Sequence, residues 1–330
     1  MINYILGKRS ILSKNLNKNF KNSKIVSIDE LIKIKLKTKV NIIINSFYPS
    51  SKISFIDSYE NFFNQSILKI SKLLDNLENK KINKIIYTSS SSVYGFKDNI
   101  NQSDSRNRKI YSISKLAAEN LVINFCNKNK IKYSIARVFN IYGKNDKFSV
   151  ISKLVESYKE KKQILINNEG SAVRDFISYK EVSHIYKKLL ESNKSEIVDV
   201  GTGYGIQIKD LINQTCPKNL KIKNRKVNEI SFSVSEKNQF NRKLNSNSLI
   251  NFLKKELKIK KAISFKKFQT NKNYLFNNFI NETIIYGAGN AGQQLDKILS
   301  EKNENSVFCF VDDDKKKQNE ILNKKKSYKF

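Results

Sequence analysis

Short runs of β-branched and aliphatic residues alternate with helical stretches over residues 1–205, and most runs end at a glycine, a serine or an acidic residue. Between Ser66 and Leu77 the apolar residues recur with the spacing of one helix face. This alternation is typical of a parallel sheet with helices on both faces, so we predict a doubly wound, Rossmann-like α/β fold. The expected strands are Asn3–Leu6, Lys24–Ile28, Val40–Ile44, Lys84–Thr88, Tyr133–Val138, Ile164–Ile166 and Glu196–Val200.

The alternation weakens after about residue 255, which predicts a first domain of residues 1–255 and a linker of residues 256–281. A second unit then begins, because the expected strand Thr283–Tyr286 leads into G-A-G-N-A-G at residues 287–292 and Val307–Val311 is an expected strand. Asp312 lies 25 residues beyond the first glycine of that motif. Residues 282–330 are too few for a complete Rossmann domain, so we expect a truncated or vestigial segment without a ligand.

Composition excludes several classes of protein. The formal charge is +32, but the lysines are spread along the chain, so we expect solvated lysines and a diphosphate partner rather than nucleic acid. The chain has no run of about eighteen apolar residues and no signal-peptide pattern, which predicts a cytoplasmic protein without membrane insertion. With three scattered cysteines and a single histidine, His184, we expect no metal site.

The first apolar run ends at Gly7, and small residues follow at Ser10 and Ser13. This is the spacing of a G-x-x-G-x-x-G turn, with serine in place of the second and third glycines. Such a turn binds phosphate through the free N–H groups of a helix N-terminus. Asp29 lies 22 residues beyond Gly7, at the expected end of the second strand, where a carboxylate can bind an adenosine ribose. A helix cap is the alternative role for Asp29.

Two further patterns place polar side chains where ligands bind. The expected strand Lys84–Thr88 runs into four serines and then V-Y-G at residues 93–95, at the edge where open α/β sheets bind ligands. Tyr111 and Lys115 are four residues apart on a predicted helix, which places the phenol and the ammonium on one face. We expect the lysine to lower the pKa of the tyrosine from its ordinary value of about 10.

Downstream, residues 137–143 read R-V-F-N-I-Y-G, residues 174–177 read R-D-F-I, and residues 201–203 read G-T-G after a strand. Arginine suits bidentate recognition of phosphate, although each arginine alone is equally consistent with a surface ion pair.

In their order along residues 1–255, these features resemble the extended short-chain dehydrogenase/reductase family, in its NAD-dependent nucleotide-sugar epimerase/dehydratase branch. The most specific of them are the serine-rich strand end with V-Y-G, the Tyr-Lys pair that begins 21 residues after Ser90, and the two arginine-containing strings. Residues 282–330 resemble the start of the nucleotide-binding domain of polysaccharide-biosynthesis sugar dehydratases.

The resemblance implies a catalytic role for three residues. Tyr111 would be the acid/base on a sugar hydroxyl, Lys115 would lower its pKa and hold the nicotinamide ribose, and Ser90 would bond the reacting oxygen. It also implies binding roles. The residues that would bind NAD are Gly7, Ser10, Ser13, Asp29, Tyr111 and Lys115, and those that would bind the nucleotide-sugar are Ser90, Asn140 and Arg174. The substrate-binding portions would lie mainly at about residues 140–180 and 205–255.

The implied activity is C4 epimerisation of a nucleotide-hexose through a transient keto-sugar, in the synthesis of surface-polysaccharide precursors, with NAD as cofactor and a homodimer as a possible assembly. Dehydratases of this branch usually carry Thr-Asp-Glu where this chain has serines at 90–92, which disfavours 4,6-dehydration. The alternatives are an NAD(P)-dependent nucleotide-sugar reductase or dehydratase, or a non-catalytic nucleotide-binding module with a degenerate glycine loop.

Overall fold

The computed structural model of the protein consists of two units, Met1–Thr270 and Asn271–Phe330. In the first unit it describes residues 1–45, 48, 53, 56–77, 81–94, 103–216, 221–227, 232–244 and 247–269, with the backbone alone at 103–106. In the second unit it describes the backbone of residues 283–286, 307–311, 321–322 and 325–328.

Twelve described strands belong to the first unit, and all seven strands expected from its sequence are among them. They are β1 (Ile2–Leu6), β2 (Ser23–Val26), β3 (Val40–Ile44), β4 (Ile82–Ser90), β5 (Lys132–Val138), β6 (Asn140–Tyr142), β7 (Ile164–Asn167), β8 (Val173–Ser178), β9 (Glu196–Val200), β10 (Gly205–Gln207), β11 (Ile222–Arg225) and β12 (Phe232–Ser233).

The described helices of this unit are α1 (Ile11–Asn19), α2 (Ile28–Lys33), α3 (Tyr59–Phe63), α4 (Lys69–Asp75), α5 (Ser103–Lys128), α6 (Val150–Glu160), α7 (Tyr179–Glu191), α8 (Ile208–Thr215) and α9 (Asn247–Leu257). A π-helical segment, Asn64–Leu68, joins α3 to α4, and a 3-10 helix, Ser91–Tyr94, follows β4. None of the helices in the described part of the chain is long and apolar enough to cross a membrane.

Six parallel strands form the central sheet in the order β2-β1-β3-β4-β5-β9. The chain adds β2 on one side of β1 and β3 on the other, so the direction in which strands are added reverses between β1 and β3. This position is the switch point where open α/β sheets bind ligands. Successive side chains of a strand face opposite sides, so Ile42 and Ile44 pack against α2, α4 and α5, whereas Ile43 packs on the side of α1 and α7. The predicted doubly wound parallel sheet is therefore confirmed.

A second hydrophobic core lies among residues 142–265. Here β8 pairs with β6, β10 and β12, β7 pairs with β11, and the helices α6, α8 and α9 contribute buried leucines and isoleucines. Residues 258–269 were expected to be part of a linker, but Ile263 and Phe265 are buried in this core and Phe268 pairs with Gly205. The apolar residues in this lysine-rich stretch explain why it packs.

Two local expectations differ from the structure. The second strand ends at Val26 rather than Ile28, because Ser27 begins α2 with a reciprocal capping box to Glu30. The helix expected over residues 66–77 begins earlier, at Tyr59, and its first part is interrupted by the π-helical segment. Such segments are rare inside helices and frequent at functional sites.

The second unit is described as four strands, β13 (Thr283–Tyr286), β14 (Val307–Val311), β15 (Ile321–Leu322) and β16 (Lys325–Tyr328), in the order β13-β14-β16-β15. The first two were expected from the sequence, and they pair in parallel as a Rossmann-type unit requires. The glycine motif at residues 287–292 and Asp312 lie outside the described residues.

Candidate active site

The turn between β1 and α1 has the backbone geometry of a phosphate-binding turn. Gly7 has φ of 95°, in the left-handed region that glycine adopts without strain. Ser10 is the N-cap of α1, and its hydroxyl accepts a hydrogen bond from the N–H of Ser13 at 3.3 Å. The serine at the second glycine position is thus used as a cap, and the N-terminus of α1 faces the switch point between β1 and β3.

Ser13 occupies the position of the third glycine and is fully buried. Its Oγ donates to the carbonyl of Leu6 at 3.1 Å and accepts from Asn45 Nδ2 at 2.7 Å. The serine therefore ties α1 to the ends of two strands, where a glycine would only permit close packing. Its role in cofactor binding stays a prediction, and the side chain would act by fixing the turn.

Asp29 lies in the first turn of α2 rather than at the end of a strand. Its carboxylate is largely exposed and lies 3.3 Å from Lys72 Nζ on α4. The cap of this helix is Ser27, so the alternative role as a cap belongs to Ser27, two residues earlier in the chain. The contact of Asp29 with a ribose stays a prediction.

Ser90, Tyr111 and Lys115 come together at the carboxyl end of β4. Ser90 is the last residue of that strand and its side chain hydrogen-bonds to Tyr111, which lies one helical turn before Lys115 on α5. Lys115 is buried, its Nζ donates to the carbonyl of Thr88 at 2.9 Å, and it lies 5.8 Å from the centre of the Tyr111 ring. The phenol and the amine thus line one pocket together with Asn45 and Gln65, and the Ser90 hydroxyl is joined to the phenol by its hydrogen bond.

Burial controls the protonation of this pocket. It raises the pKa of Tyr111 to about 12, and the hydrogen bond from Ser90 offsets only part of that effect. The expected net lowering of the Tyr111 pKa is wrong for this structure, because desolvation outweighs the interactions that favour the phenolate. Burial also lowers the pKa of Lys115 to about 8, against the opposing influence of Glu119. At neutral pH the site therefore holds a neutral phenol next to a lysine that is close to its titration point.

A buried charged cluster supports this end of β4 and the strands beside it. Glu119, one turn beyond Lys115 on α5, binds Arg137 of β5 through two hydrogen bonds of 3.1 and 2.8 Å and accepts from Ser89 Oγ at 2.5 Å. The Arg137 guanidinium lies 4.9 Å from the centre of the Tyr94 ring, and Tyr94 OH donates to Asp199 at 2.5 Å. Burial raises the pKa of Asp199 to about 6.

Asn140 and Arg174 lie on the paired strands β6 and β8, respectively. Asn140 Nδ2 donates to the carbonyl of Asp175 at 3.0 Å, and Arg174 Nη1 donates to the carbonyl of Val173 at 2.9 Å. The structure thus brings these two predicted substrate-binding residues to the same small sheet. Their contact with a substrate stays a prediction.

Asp175, next to Arg174, is fully buried and organises the turn at residues 201–203. It accepts hydrogen bonds from Thr202, Gly203 and Ser235, whose donors lie between 2.6 and 3.2 Å from its carboxylate. A Cβ at Gly201 would lie 2.6 Å from Asp175 Oδ2, so this close approach requires glycine. The G-T-G and R-D-F-I strings are therefore parts of one buried contact.

The sequence reasoning missed Thr88, Asn45, Glu119 and Asp199. Each lies at or near the carboxyl edge of the sheet, and the first two form a buried hydrogen bond of 2.5 Å. The position of Glu119, four residues after Lys115 on the same helix, could have indicated a buried acid next to the site. Nothing in the sequence pattern pairs Asn45 with Thr88, since their contact depends on the strand order.

Together the switch point, the phosphate-type turn and the tyrosine–lysine pair define a dinucleotide-binding fold of the oxidoreductase type. A model of the NAD dependent epimerase/dehydratase family matches residues 5–201. The chain belongs to this family, as the sequence resemblance predicts.

Two curated relatives carry different activities. The chain is 29% identical over 215 residues, 60% of its length, to a dTDP-D-glucose 4,6-dehydratase of Dictyostelium discoideum. It is 26% identical over 117 residues, 33% of its length, to a dTDP-L-rhamnose 4-epimerase of Burkholderia thailandensis. The match spans 49% and 32% of these two relatives, respectively, so each is covered only in part.

Solved structures of epimerases share the fold. A mutant of UDP-glucuronic acid 4-epimerase from Bacillus cereus, in complex with a UDP-sugar and NAD, matches with a TM-score of 0.66 at 18% identity over 78% of this chain and 98% of that one. UDP-glucose 4-epimerase from Thermus thermophilus, in complex with NAD, matches with a TM-score of 0.63 at 13% identity over 79% of this chain and 100% of that one. At these identities the likeness concerns the fold.

Proposed function

We propose that the protein is an NAD-dependent nucleotide-sugar epimerase that inverts C4 of a hexose through a transient keto-sugar. The observation that carries this proposal is that Tyr111 and Lys115 line one pocket near the switch point of the sheet while Tyr111 hydrogen-bonds to Ser90. Membership of the family and the two nucleotide-sugar enzymes among its relatives support the same class of substrate.

The residues present fit NAD. The positive φ of Gly7 and the N-terminus of α1 suit a pyrophosphate, and the buried amine of Lys115 suits the hydroxyls of a ribose. Asp29 would reach the adenosine ribose if its side chain leaves Lys72. When bound, NAD would supply a hydride acceptor for oxidation of the sugar carbon and, in its reduced form, a hydride donor for the return step.

The chain's own residues move and hold the proton. Tyr111 takes the proton of the sugar hydroxyl as the carbon is oxidised, and Ser90 hydrogen-bonds the same oxygen. Because burial raises the pKa of Tyr111 to about 12, the phenolate needs a stabilising charge, and protonated Lys115 on the same helix face supplies it. Return of the proton to the oxygen completes the cycle.

The small sheet that holds Asn140 and Arg174 would bind the nucleotide-sugar. Arg174 is positioned by β8 next to the buried Asp175, and a guanidinium suits the diphosphate of such a substrate. The net charge of +32 favours an anionic substrate in general. We further propose that the protein acts in the cytoplasm and does not bind nucleic acid. Its assembly as a homodimer stays a prediction.

Dehydration is the second candidate, favoured by the dehydratase among the relatives. Residues 90–92 are serines at the end of β4 and in the 3-10 helix, so the positions where related dehydratases carry an acid and a base hold hydroxyls instead. A hydroxyl is a poor acid and base at neutral pH, so removal of water across C5 and C6 is disfavoured.

Product analysis separates these activities. The protein is incubated with NAD and a panel of UDP-, dTDP- and GDP-sugars in deuterated water, and the products are identified by NMR. Epimerisation yields the C4 epimer without solvent deuterium at C4, because the hydride returns to the carbon it left. A keto-deoxy sugar with solvent deuterium would establish dehydration. Net formation of NADH would establish a dehydrogenase reaction, and net consumption of NADH in a parallel incubation with NADH would establish a reductase reaction.

A further inference from the structure

A continuous series of hydrogen bonds runs beneath the carboxyl edge of the sheet. Thr88 Oγ1 donates to Asn45 Oδ1 at 2.5 Å, and Asn45 Nδ2 donates to Ser13 Oγ at 2.7 Å. Ser13 Oγ donates in turn to the carbonyl of Leu6 at 3.1 Å. At the other end, Tyr186 OH lies 2.7 Å from Thr88 Oγ1. The series joins β4, β3, α1, β1 and α7.

Each donor in this series has a single acceptor. A hydroxyl carries a single proton, and that of Thr88 is given to Asn45, so Tyr186 is the donor in its bond to Thr88. Burial raises the pKa of Tyr186, which keeps its proton in place. The orientation of the Asn45 amide is fixed in the same way, since its oxygen accepts and its nitrogen donates. The series is therefore directional and fully paired.

Thr88 also connects the two faces of the sheet. Its side chain lies on the face of α1 and α7, whereas its carbonyl accepts the Nζ of Lys115 from α5 on the opposite face at 2.9 Å. It is two residues from Ser90 on the same strand. A displacement of Thr88 would move the lysine and, through Asn45, the turn that begins α1.

We infer that the Thr88 hydroxyl is a positioning residue for the dinucleotide, which through Asn45 and Ser13 holds the Gly7–Ser13 turn at a fixed separation from the Lys115 ammonium. This inference rests on the proposed function, because it assigns the turn and the lysine to two ends of one bound NAD. A rigid link between the two contacts lowers the cost of ordering them on binding. The serine at the third glycine position is then part of the link rather than a defect of the turn.

The direct test compares Thr88→Val with Thr88→Ser. Valine keeps the shape of threonine and removes the hydroxyl, which leaves Asn45 Oδ1 and Tyr186 OH without their partner. We expect NADH, titrated by fluorescence, to bind about tenfold more weakly to Thr88→Val and within about twofold of wild type to Thr88→Ser. Unchanged NADH affinity in a folded Thr88→Val protein overturns the inference.

Two further variants separate positioning from general stability. Tyr186→Phe removes the buried hydrogen bond that Tyr186 donates to Thr88 but leaves the bonds from Thr88 through Asn45 to Ser13 intact. Its NADH affinity should therefore stay within about twofold of wild type. Ser13→Ala breaks the path at its far end, and the Thr88→Val/Ser13→Ala double variant binds NADH no more weakly than the weaker single variant. Additive losses, or an equal loss in Tyr186→Phe, contradict the inference.

The outcomes for the two claims differ. If wild-type protein fails to bind NADH, the proposed function fails, whereas binding by wild type with unchanged affinity in Thr88→Val removes only the positioning role. If Thr88→Val does not fold, Ser13→Ala and Tyr186→Phe decide the question. A loss of NADH affinity confined to Ser13→Ala supports the link, and equal affinity in these two variants overturns it.

Discussion

Two lysines are buried at opposite ends of β4, and their surroundings differ. Lys84, near the amino end, donates to the carbonyls of Ser192 and Lys194 at 2.8 and 3.1 Å, and its Nζ lies 3.9 Å from Glu196. Lys115, at the carboxyl end, makes one hydrogen bond within the described part of the chain, to Thr88, and otherwise faces aromatic rings and a pocket.

Burial lowers the pKa of both lysines to about 8, so a perturbed pKa does not by itself mark a functional lysine. The two lysines differ in how many hydrogen bonds the ammonium group makes within the described residues. The donors of Lys84 are directed at the loop after α7, whereas Lys115 retains donor capacity next to Tyr111. At the amino edge the ammonium of Lys84 is used by two carbonyls, whereas at the carboxyl edge that of Lys115 makes one hydrogen bond, within the described residues, and lines a pocket.

The largest expected effect follows from removing the phenol oxygen. Tyr111→Phe should lower kcat by about a thousandfold, because under the proposed function it removes the group that exchanges the proton with the sugar hydroxyl, while NADH affinity changes little. Steady-state kinetics and a NADH titration measure both quantities. Tyr158→Phe on α6, which packs in the second core, is the matched control with wild-type kinetics. Full activity of Tyr111→Phe would assign the proton transfer to another residue.

The matched variants Lys115→Met and Lys84→Met test whether the two lysines have different roles. We expect Lys115→Met to lower kcat about a hundredfold and to weaken NADH binding, since the phenolate loses its stabilising charge. Lys84→Met should keep wild-type kcat and lower the free energy of unfolding by about 2 kcal/mol, because two carbonyls lose their donor. Similar kcat values in the two variants would show that the two ends of β4 do not differ in this way.

Glu119→Gln tests the charged cluster behind the site. The variant leaves the Arg137 guanidinium without its carboxylate in a largely buried position, so the free energy of unfolding should fall by about 3 kcal/mol in urea denaturation. Glu160→Gln, whose exposed carboxylate pairs with Lys162, is the matched control and should change stability by less than about 0.5 kcal/mol. A loss as small as that of the control would mean that the cluster is not a structural support.

The smallest expected effect is the pH dependence of kcat. The active pair of Tyr111 phenolate and Lys115 ammonium holds one proton fewer than the resting pair of phenol and ammonium. Because the pKa of Lys115 is lowered to about 8 and that of Tyr111 is raised to about 12, kcat should rise with pH up to about 8 and level off above it. For both lysines the folded state holds fewer protons than the unfolded state between about pH 8 and 10.5, so their contribution to stability rises with pH over that window.

The Lys84→Met variant tests whether the pH profile of kcat belongs to Lys115 alone. It should reduce the rise of stability between about pH 8 and 10.5 and leave the pH profile of kcat unchanged. A profile of kcat that stays flat from pH 7 to 9.5 in wild type would separate the activity from the titration of Lys115.

Much of the fold follows from the sequence, for identifiable reasons. The strands Val40–Ile44 and Glu196–Val200 have the predicted bounds. Every residue of the first is buried, and its β-branched residues are interrupted only by Asn41, as is typical of a central parallel strand. The boundary after Val26 was missed although Ser27 and Glu30 spell a capping box, because the apolar Ile28 was read as part of the strand. Local capping decided that boundary.

The site was predictable only where its residues share one element. Tyr111 and Lys115 could be paired by helical spacing, but Asn45 and Thr88 meet across β3 and β4 and are 43 residues apart. The direction of the Tyr111 pKa was also missed, because the sequence shows the nearby lysine and not the burial of the phenol. The contact between Asn45 and Thr88 and the burial of Tyr111 both depend on tertiary packing, which residue spacing in the sequence does not reveal.

Titration of the wild-type protein with NADH, followed by the fluorescence of the reduced nicotinamide, shows whether a dinucleotide binds at the carboxyl edge of the sheet. If the turn at Gly7 and the amine of Lys115 hold one dinucleotide, the fluorescence saturates with a dissociation constant below about 1 mM, and unlabelled NAD displaces the NADH. No change in fluorescence up to several times that concentration would contradict the account.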